Sequence, residues 1–398
     1  MVSKLDRSTI VTLCILVLLC LAGVSVPGYR SWKARQQETL KVRCAQALKD
    51  KEWDQLETCA TAWLDLDKKN GFAWLYLGAA YQAKGDFELA AECLNSLDES
   101  DPKCLEALLE LVEMQLGKLN RPLEAVATCR RIIKIDPDIT KAHQRLTFFY
   151  AMTLQRREMI RCIRASIDLN AAEPEAYAYL LMASALRFSN GYRINSHWLK
   201  SDPNYEHFQV ACAVFLAKGS SRDDASASDD PGAVVDPTLE PLVLECRERF
   251  PNNTEILAYL LEFAVERGDL DEIADLLSAA PAGAELDSRF WRYKGWYHAA
   301  VEEFEYAEKA YRESLRWDPY DWRSRHQLAA VLRRQNKLDE MQLLTELALE
   351  GKKLEQEVQA LANAADVSVE MARRISDFAN RVGDSQVADG IRNSLEKL

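Results

Sequence analysis

The chain lacks every short motif that marks a nucleotide or catalytic site. There is no Gly-x-Gly-x-x-Gly, no Gly-rich loop closing on Lys-Ser/Thr, no His-Glu-x-x-His and no Gly-x-Ser-x-Gly. These absences exclude the common dinucleotide sites, phosphate-cradling loops, zinc proteases and serine hydrolases. Histidine is scarce, with five residues at 143, 197, 207, 298 and 326. Ten cysteines are present, but none forms a Cys-x-x-Cys pair, so metal-ligand spacing is missing. The run Asp65-Leu66-Asp67-Lys68-Lys69-Asn70-Gly71 approaches a calcium loop. Its Gly falls one place late and no closing Glu follows, so we read a turn. No catalytic residue, metal or cofactor is expected, and the chain reads as a protein that is not an enzyme.

Positive charge is also in deficit: 50 Lys and Arg stand against 62 Asp and Glu, a net charge of −12. The first 43 residues reverse the balance with seven basic and two acidic residues, leaving 43 against 60 in the rest. A body so acidic repels nucleic acid, so no nucleic-acid partner is expected. No small-molecule substrate is evident either. Alternating β-branched runs are few, which favours an all-α chain. Cys44, Cys59, Cys93, Cys129, Cys162, Cys212 and Cys246 mostly occupy apolar positions of predicted helices, where a free thiol acts as a small hydrophobe. We expect no disulfide framework; only two adjacent helices bringing a pair together would make a bridge.

One long hydrophobic run is present. Ser8 to Val26 carries no charge, comes after Lys4 and Arg7, and is closed by Pro27-Gly28 and then Arg30, Trp32, Lys33 and Arg35. As a helix it rises about 28 Å, close to the hydrocarbon thickness of a bilayer. We read a single transmembrane helix at about 8–26 within an N-terminal cytoplasmic or juxtamembrane segment 1–36. A cleaved signal peptide ending near Gly23-Val24-Ser25 is the alternative. Leu19 before Cys20 argues against a lipoprotein site. The charges flanking the run point to both sides of the membrane, so the side of the body stays open.

The most regular stretch is Gly71 to Cys104. Trp74, Leu77, Gly78 and Tyr81 share one helical face, Gly85-Asp86 makes a turn, Ala90 and Leu94 lie on the next helix, and Pro102 closes the unit. Gly78 leaves room for a second helix, and Gly85 suits a left-handed helix terminus. This resembles a tetratricopeptide repeat, a helical hairpin recurring about every 34 residues. Leu94 and Leu97 depart from the Phe and Ala of that pattern. The resemblance implies a right-handed α-solenoid of roughly nine to ten hairpins after the transmembrane helix.

The remaining chain fits that period unevenly. We read an array over 37–205, with Lys51 replacing a turn Gly in its first unit and with no second-helix pattern between Tyr192 and Asn204. A split hairpin comes next at 206–253, carrying a flexible insertion at 219–237. A second array runs over 254–398, with Trp291, Gly295, Ala307, Tyr311 and Pro319 giving another clear copy. A catalytic site hidden in 187–237 would need His197 and His207 to converge with acidic groups.

The resemblance also implies which positions face the inside of the superhelix. Residues 71–104 place Phe72, Leu75, Ala79, Gln82 and Ala83 there. Residues 288–355 place Arg289, Arg292, Trp296, Arg323, His326, Arg333 and Arg334 there. Arginine forks suit carboxylates, so this cluster is the expected partner-binding groove, holding an acidic peptide or partner C-terminus. The competing reading pairs these arginines with Glu302, Glu303, Glu305 or Asp321 of the chain itself. Function is then read as a membrane-anchored scaffold that binds other proteins, with an exported or envelope-associated subunit of a larger enzyme as the alternative.

Overall fold

The computed structural model describes residues 7–219, 241–361 and 363–396, with side chains from residue 29 onward. The insertion expected at 219–237 lies outside the described residues from 220 on. Among the described residues every regular element is a helix. The chain divides into two compact units, Met1–Leu119 and Asn120–Leu398. The boundary falls in the turn near Lys118–Asn120, inside the stretch 37–205 read from sequence as one array.

The first unit holds α1 (Arg7–Asp50), α2 (Trp53–Leu66), α3 (Gly71–Lys84), α4 (Phe87–Asn95) and α5 (Cys104–Leu116). Helix α1 runs through Pro27-Gly28 and ends by packing on α2 through Leu40, Cys44 and Ala47, all buried. Lys51 adopts a positive φ of 58° in the turn after it, the role given elsewhere to glycine. Asn70 caps α3 by accepting from the Ala73 amide at 3.1 Å. Gly85 ends it at φ 87°, a left-handed conformation that a Cβ would strain. A Cβ at Gly78 would stand 3.4 Å from Leu94, so that close approach of α3 and α4 is real. The core is Leu56, Trp63 and Leu77 with the thiols of Cys44 and Cys59. Each large side chain so buried contributes about 1.5–3 kcal/mol.

Among the described residues no helix is long and apolar enough to cross a membrane. The run expected to be the anchor, 8–26, belongs to α1 but lies outside the residues whose side chains are described.

The second unit holds α6 (Pro122–Ile135), α7 (Thr140–Met152), α8 (Arg156–Asp168), α9 (Pro174–Leu181), α10 (Gly191–Trp198), α11 (Glu206–Ala217) and α12 (Pro241–Arg249). It continues with α13 (Thr254–Arg267), α14 (Leu270–Ser278), α15 (Ser288–Ala300), α16 (Phe304–Trp317), α17 (Trp322–Arg334), α18 (Leu338–Gln359), α19 (Val369–Arg381) and α20 (Ser385–Leu395). Helices 7 and 8, 10 and 11, 13 and 14, 15 and 16, 17 and 18, and 19 and 20 pack as neighbours in sequence.

Two findings correct the expectations from sequence. Residues after Tyr192, where no second helix is expected, belong to α10, which pairs with α11. Asn195 anchors it by donating to the Met152 carbonyl at 2.8 Å, and Trp198 packs its ring against Phe149 and Phe208. Aromatic burial overrides a weak periodic pattern here. The second concerns how the unit ends. Helix α20 turns back onto α8, and α9 touches α18 and α19. Asp384, just before α20, meets Arg164 of α8 at 2.7 Å and accepts from the Tyr320 hydroxyl at 2.9 Å. Gln386 donates to Asp168 at 2.6 Å. The last helix of the second unit therefore packs back onto α8.

Candidate partner-binding surface

The arginines expected to line a groove sit on α15 and α17. Each helix begins after an aspartate that caps it: Asp287 accepts from the Arg289 amide at 3.0 Å and Asp321 from the Arg323 amide at 3.1 Å. The same carboxylates and two others then take up the guanidiniums. Arg289 donates to Glu255 and Asp287, and Glu255 also accepts from Arg156 of α8 at 3.1 Å. Arg292 reaches Asp321 at 2.8 Å, and Ser324 donates to that carboxylate at 2.6 Å. Arg323 forms a two-pronged pair with Glu355 at 2.9 and 3.0 Å, beside a bond from Trp322 Nε1.

Burial decides what this row does. Arg289 is 4% exposed and Arg292 is 9% exposed. Burial alone favours the neutral guanidine, yet Asp287 and Glu255 hold Arg289, and Asp321 holds Arg292, firmly protonated. Burial opposes ionisation of Asp321 as well, and Arg292 reverses that effect, keeping its carboxyl below the ordinary range. Such forks offer no donor to a partner without first breaking an internal pair. Of the acidic residues in the competing reading, Asp321 is the one that pairs in this row; Glu255, Asp287 and Glu355 lie outside that reading. Asp287 and Glu255 carry a signal in the sequence, an acidic residue at or just inside a helix start, whereas Glu355 lies near the end of α18 and carries none.

The other expected groove residues lie elsewhere. Trp296 is half-buried, and His326, Arg333 and Arg334 are exposed. Among the described residues none pairs with these last three. They lie on α17 with Arg323, His326 three residues on from it and Arg333 and Arg334 at the helix end. His197 gives its backbone carbonyl to Asn120 at 2.7 Å, and burial pushes the His207 imidazole below its ordinary range. Among the described residues no cluster of His, Cys, Asp and Glu is placed to hold a metal ion.

A surface that the repeat pattern does not reveal lies on the opposite face of α15. Leu277, Pro281, Phe290, Trp291, Lys294 and Tyr297 line an open pocket of about 470 Å³. Spacings of three and four residues put Trp291, Lys294 and His298 on one side of the helix, away from Arg289, Arg292 and Trp296. Trp291 is fixed by its indole N–H, which donates to the Glu285 carbonyl at 2.8 Å, and Lys294 lies over its ring at 5.2 Å. The pocket exists because residues 280–284, Ala-Pro-Ala-Gly-Ala, connect α14 to α15 with almost no side-chain volume.

No family profile matches the chain, and no curated protein matches it. Among solved structures it is similar to yeast Tom70, at 16% identity and a TM-score of 0.29 over 92% of this chain and 77% of that chain. It is similar to the APC/C hetero-tetramer Cut9-Hcn1, at 13% identity and a TM-score of 0.29 over 92% and 80%. A tetratricopeptide repeat protein from Parabacteroides merdae gives 10% identity and a TM-score of 0.29 over 75% and 99%.

Proposed function

We propose that the chain is a membrane-anchored scaffold of the tetratricopeptide type that holds an apolar segment of a partner protein against the outer face of α15. The observation that carries this reading is the open pocket bounded by Leu277, Trp291 and Tyr297. Concave sites with aromatic walls and few polar groups are the usual seats of anchor side chains. Lys294 is exposed at the pocket, so an acidic residue beside the anchor would find a charge partner. The acidic preference expected for the partner thus moves from the inner arginines to Lys294.

Anchoring is supported by the uncharged run at 8–26 and by the aromatic residues just after it. Tyr29 and Trp32 are exposed and stacked, with ring centroids 5.9 Å apart. Exposed Tyr and Trp next to basic residues suit the headgroup layer of a bilayer.

The test is capture of the partner by full-length chain from solubilised membranes, and then titration of the protein identified. A Leu277→Asp/Lys294→Glu double variant should bind at least tenfold more weakly. An Arg333→Glu/Arg334→Glu variant should bind as the wild type does. The reverse order would return the site to the basic cluster.

A further inference from the structure

We infer that Cys44 and Cys59 are a redox pair that closes into a disulfide and locks α1 onto α2. Their sulfurs are 2.7 Å apart, against about 2.05 Å in a formed bond, so closure asks for little movement of either helix. Both thiols are buried, Cys44 completely and Cys59 with 6% exposure. Cys59 also donates to the Leu56 carbonyl at 3.3 Å, a contact within its own helix that leaves the sulfur facing Cys44. By contrast, Cys212 meets the Ser196 hydroxyl at 3.6 Å and the Tyr192 carbonyl at 3.9 Å. Cys44 on α1 and Cys59 on α2 are brought within bridging reach by adjacent helices.

The reaction needs a small-molecule disulfide as oxidant, and oxidised glutathione is the probe. The Cys59 thiolate attacks one glutathione sulfur, forming a mixed disulfide and releasing one glutathione thiolate. Cys44 then attacks the Cys59 sulfur and releases the second. The chain loses two protons and two electrons, and one glutathione disulfide becomes two thiols. Burial raises the Cys44 thiol far above its ordinary range, so the exchange proceeds when the helix pair opens briefly or while it folds.

The consequence is mechanical. Helix α1 is the element that carries the run 8–26, and its last turns pack through Leu40, Cys44 and Ala47. A bridge at Cys44 ties that helix covalently to the first helical hairpin. In an oxidising compartment the body would be fixed to its leading helix, and in a reducing one the joint would rest on packing alone.

The experiment uses the full chain in detergent, incubated with oxidised glutathione both as isolated and while refolding from denaturant. Remaining thiols are alkylated in denaturant and the digest is read by mass spectrometry. The expected result is a linked peptide pair joining Cys44 to Cys59, lighter by two hydrogens, with Cys212 and Cys246 alkylated. Helicity should be unchanged, and the linked unit should melt about 5 °C or more above the reduced one. Cys44→Ala and Cys59→Ala should each abolish the linked peptide. Alkylation of both thiols after refolding in oxidised glutathione would overturn the inference, as would linkage of Cys44 to a different cysteine or loss of helicity on linkage.

Discussion

The two faces of α15 show how one helix divides structural from interactive work. Its inner face carries Arg289 and Arg292, both buried and closed by carboxylates from α13, the α14–α15 connection and the residue before α17. Its outer face carries Trp291, Lys294 and Tyr297 around an open pocket. The face with charge suited to a ligand is consumed by the fold, and the face with apolar side chains is left to solvent. Basic residues therefore mark the seam between neighbouring helices of the second unit, and a gap in side-chain volume marks the place for a partner.

The largest effect should come from removing the shared carboxylate of the inner face. Glu255→Ala leaves Arg156 and Arg289 buried without that partner, and breaking a buried pair costs about 3–5 kcal/mol. A denaturant titration should show the second unit unfolding at a much lower midpoint. A loss near zero would mean that the inner row is solvated and free for ligands. The return of α20 onto α8 is the next target. A Cβ at Gly390 would stand 2.5 Å from Ile167, so Gly390→Ala should cost about 1–3 kcal/mol by overpacking. Hydrogen exchange should rise over 385–395, and unchanged protection there would argue against contact of α20 with α8.

A smaller, pH-dependent effect is expected at Asp318, on the same inner side. Burial, aided by the nearby Asp321 carboxylate, pushes its pKa up to about 7 from the ordinary 3.8. The folded state thus holds the proton more tightly than the unfolded chain. The stabilisation is full below the ordinary range and lost as pH rises through about 7. Asp318→Asn should therefore raise the melting temperature relative to wild type more at pH 8 than at pH 5; an equal gain at both would contradict the assignment. The smallest effect belongs to Arg333→Glu/Arg334→Glu, exposed at the end of α17, where stability should change by no more than about 0.5 kcal/mol.

Much of the fold is legible in the sequence because local chemistry sets it. Asn70, Gly78 and Gly85 act through their own helix or its immediate partner, and a sequence shows such neighbours directly. The return of α20 onto α8 is not legible, because Arg164 and Asp384 lie 220 residues apart and neither belongs to a motif. The arginines expected to face a partner are likewise taken up by carboxylates distant in sequence. Inner positions inferred from a repeat pattern do not register such partners, and Arg156, 99 residues before Glu255, shares that carboxylate. The pocket at α15 is hidden for a different reason: Trp291 reads as a repeat signature, and the small residues at 280–284 read as an ordinary connection.

The most direct test uses the two half-buried tryptophans on opposite faces of that helix. Radical footprinting of the full-length chain, with and without bound partner, reports oxidation at Trp291 and Trp296 separately. A site on the outer face predicts that the partner protects Trp291 and leaves Trp296 unchanged. Protection of Trp296 with Trp291 still reactive would place the partner on the inner face and contradict it.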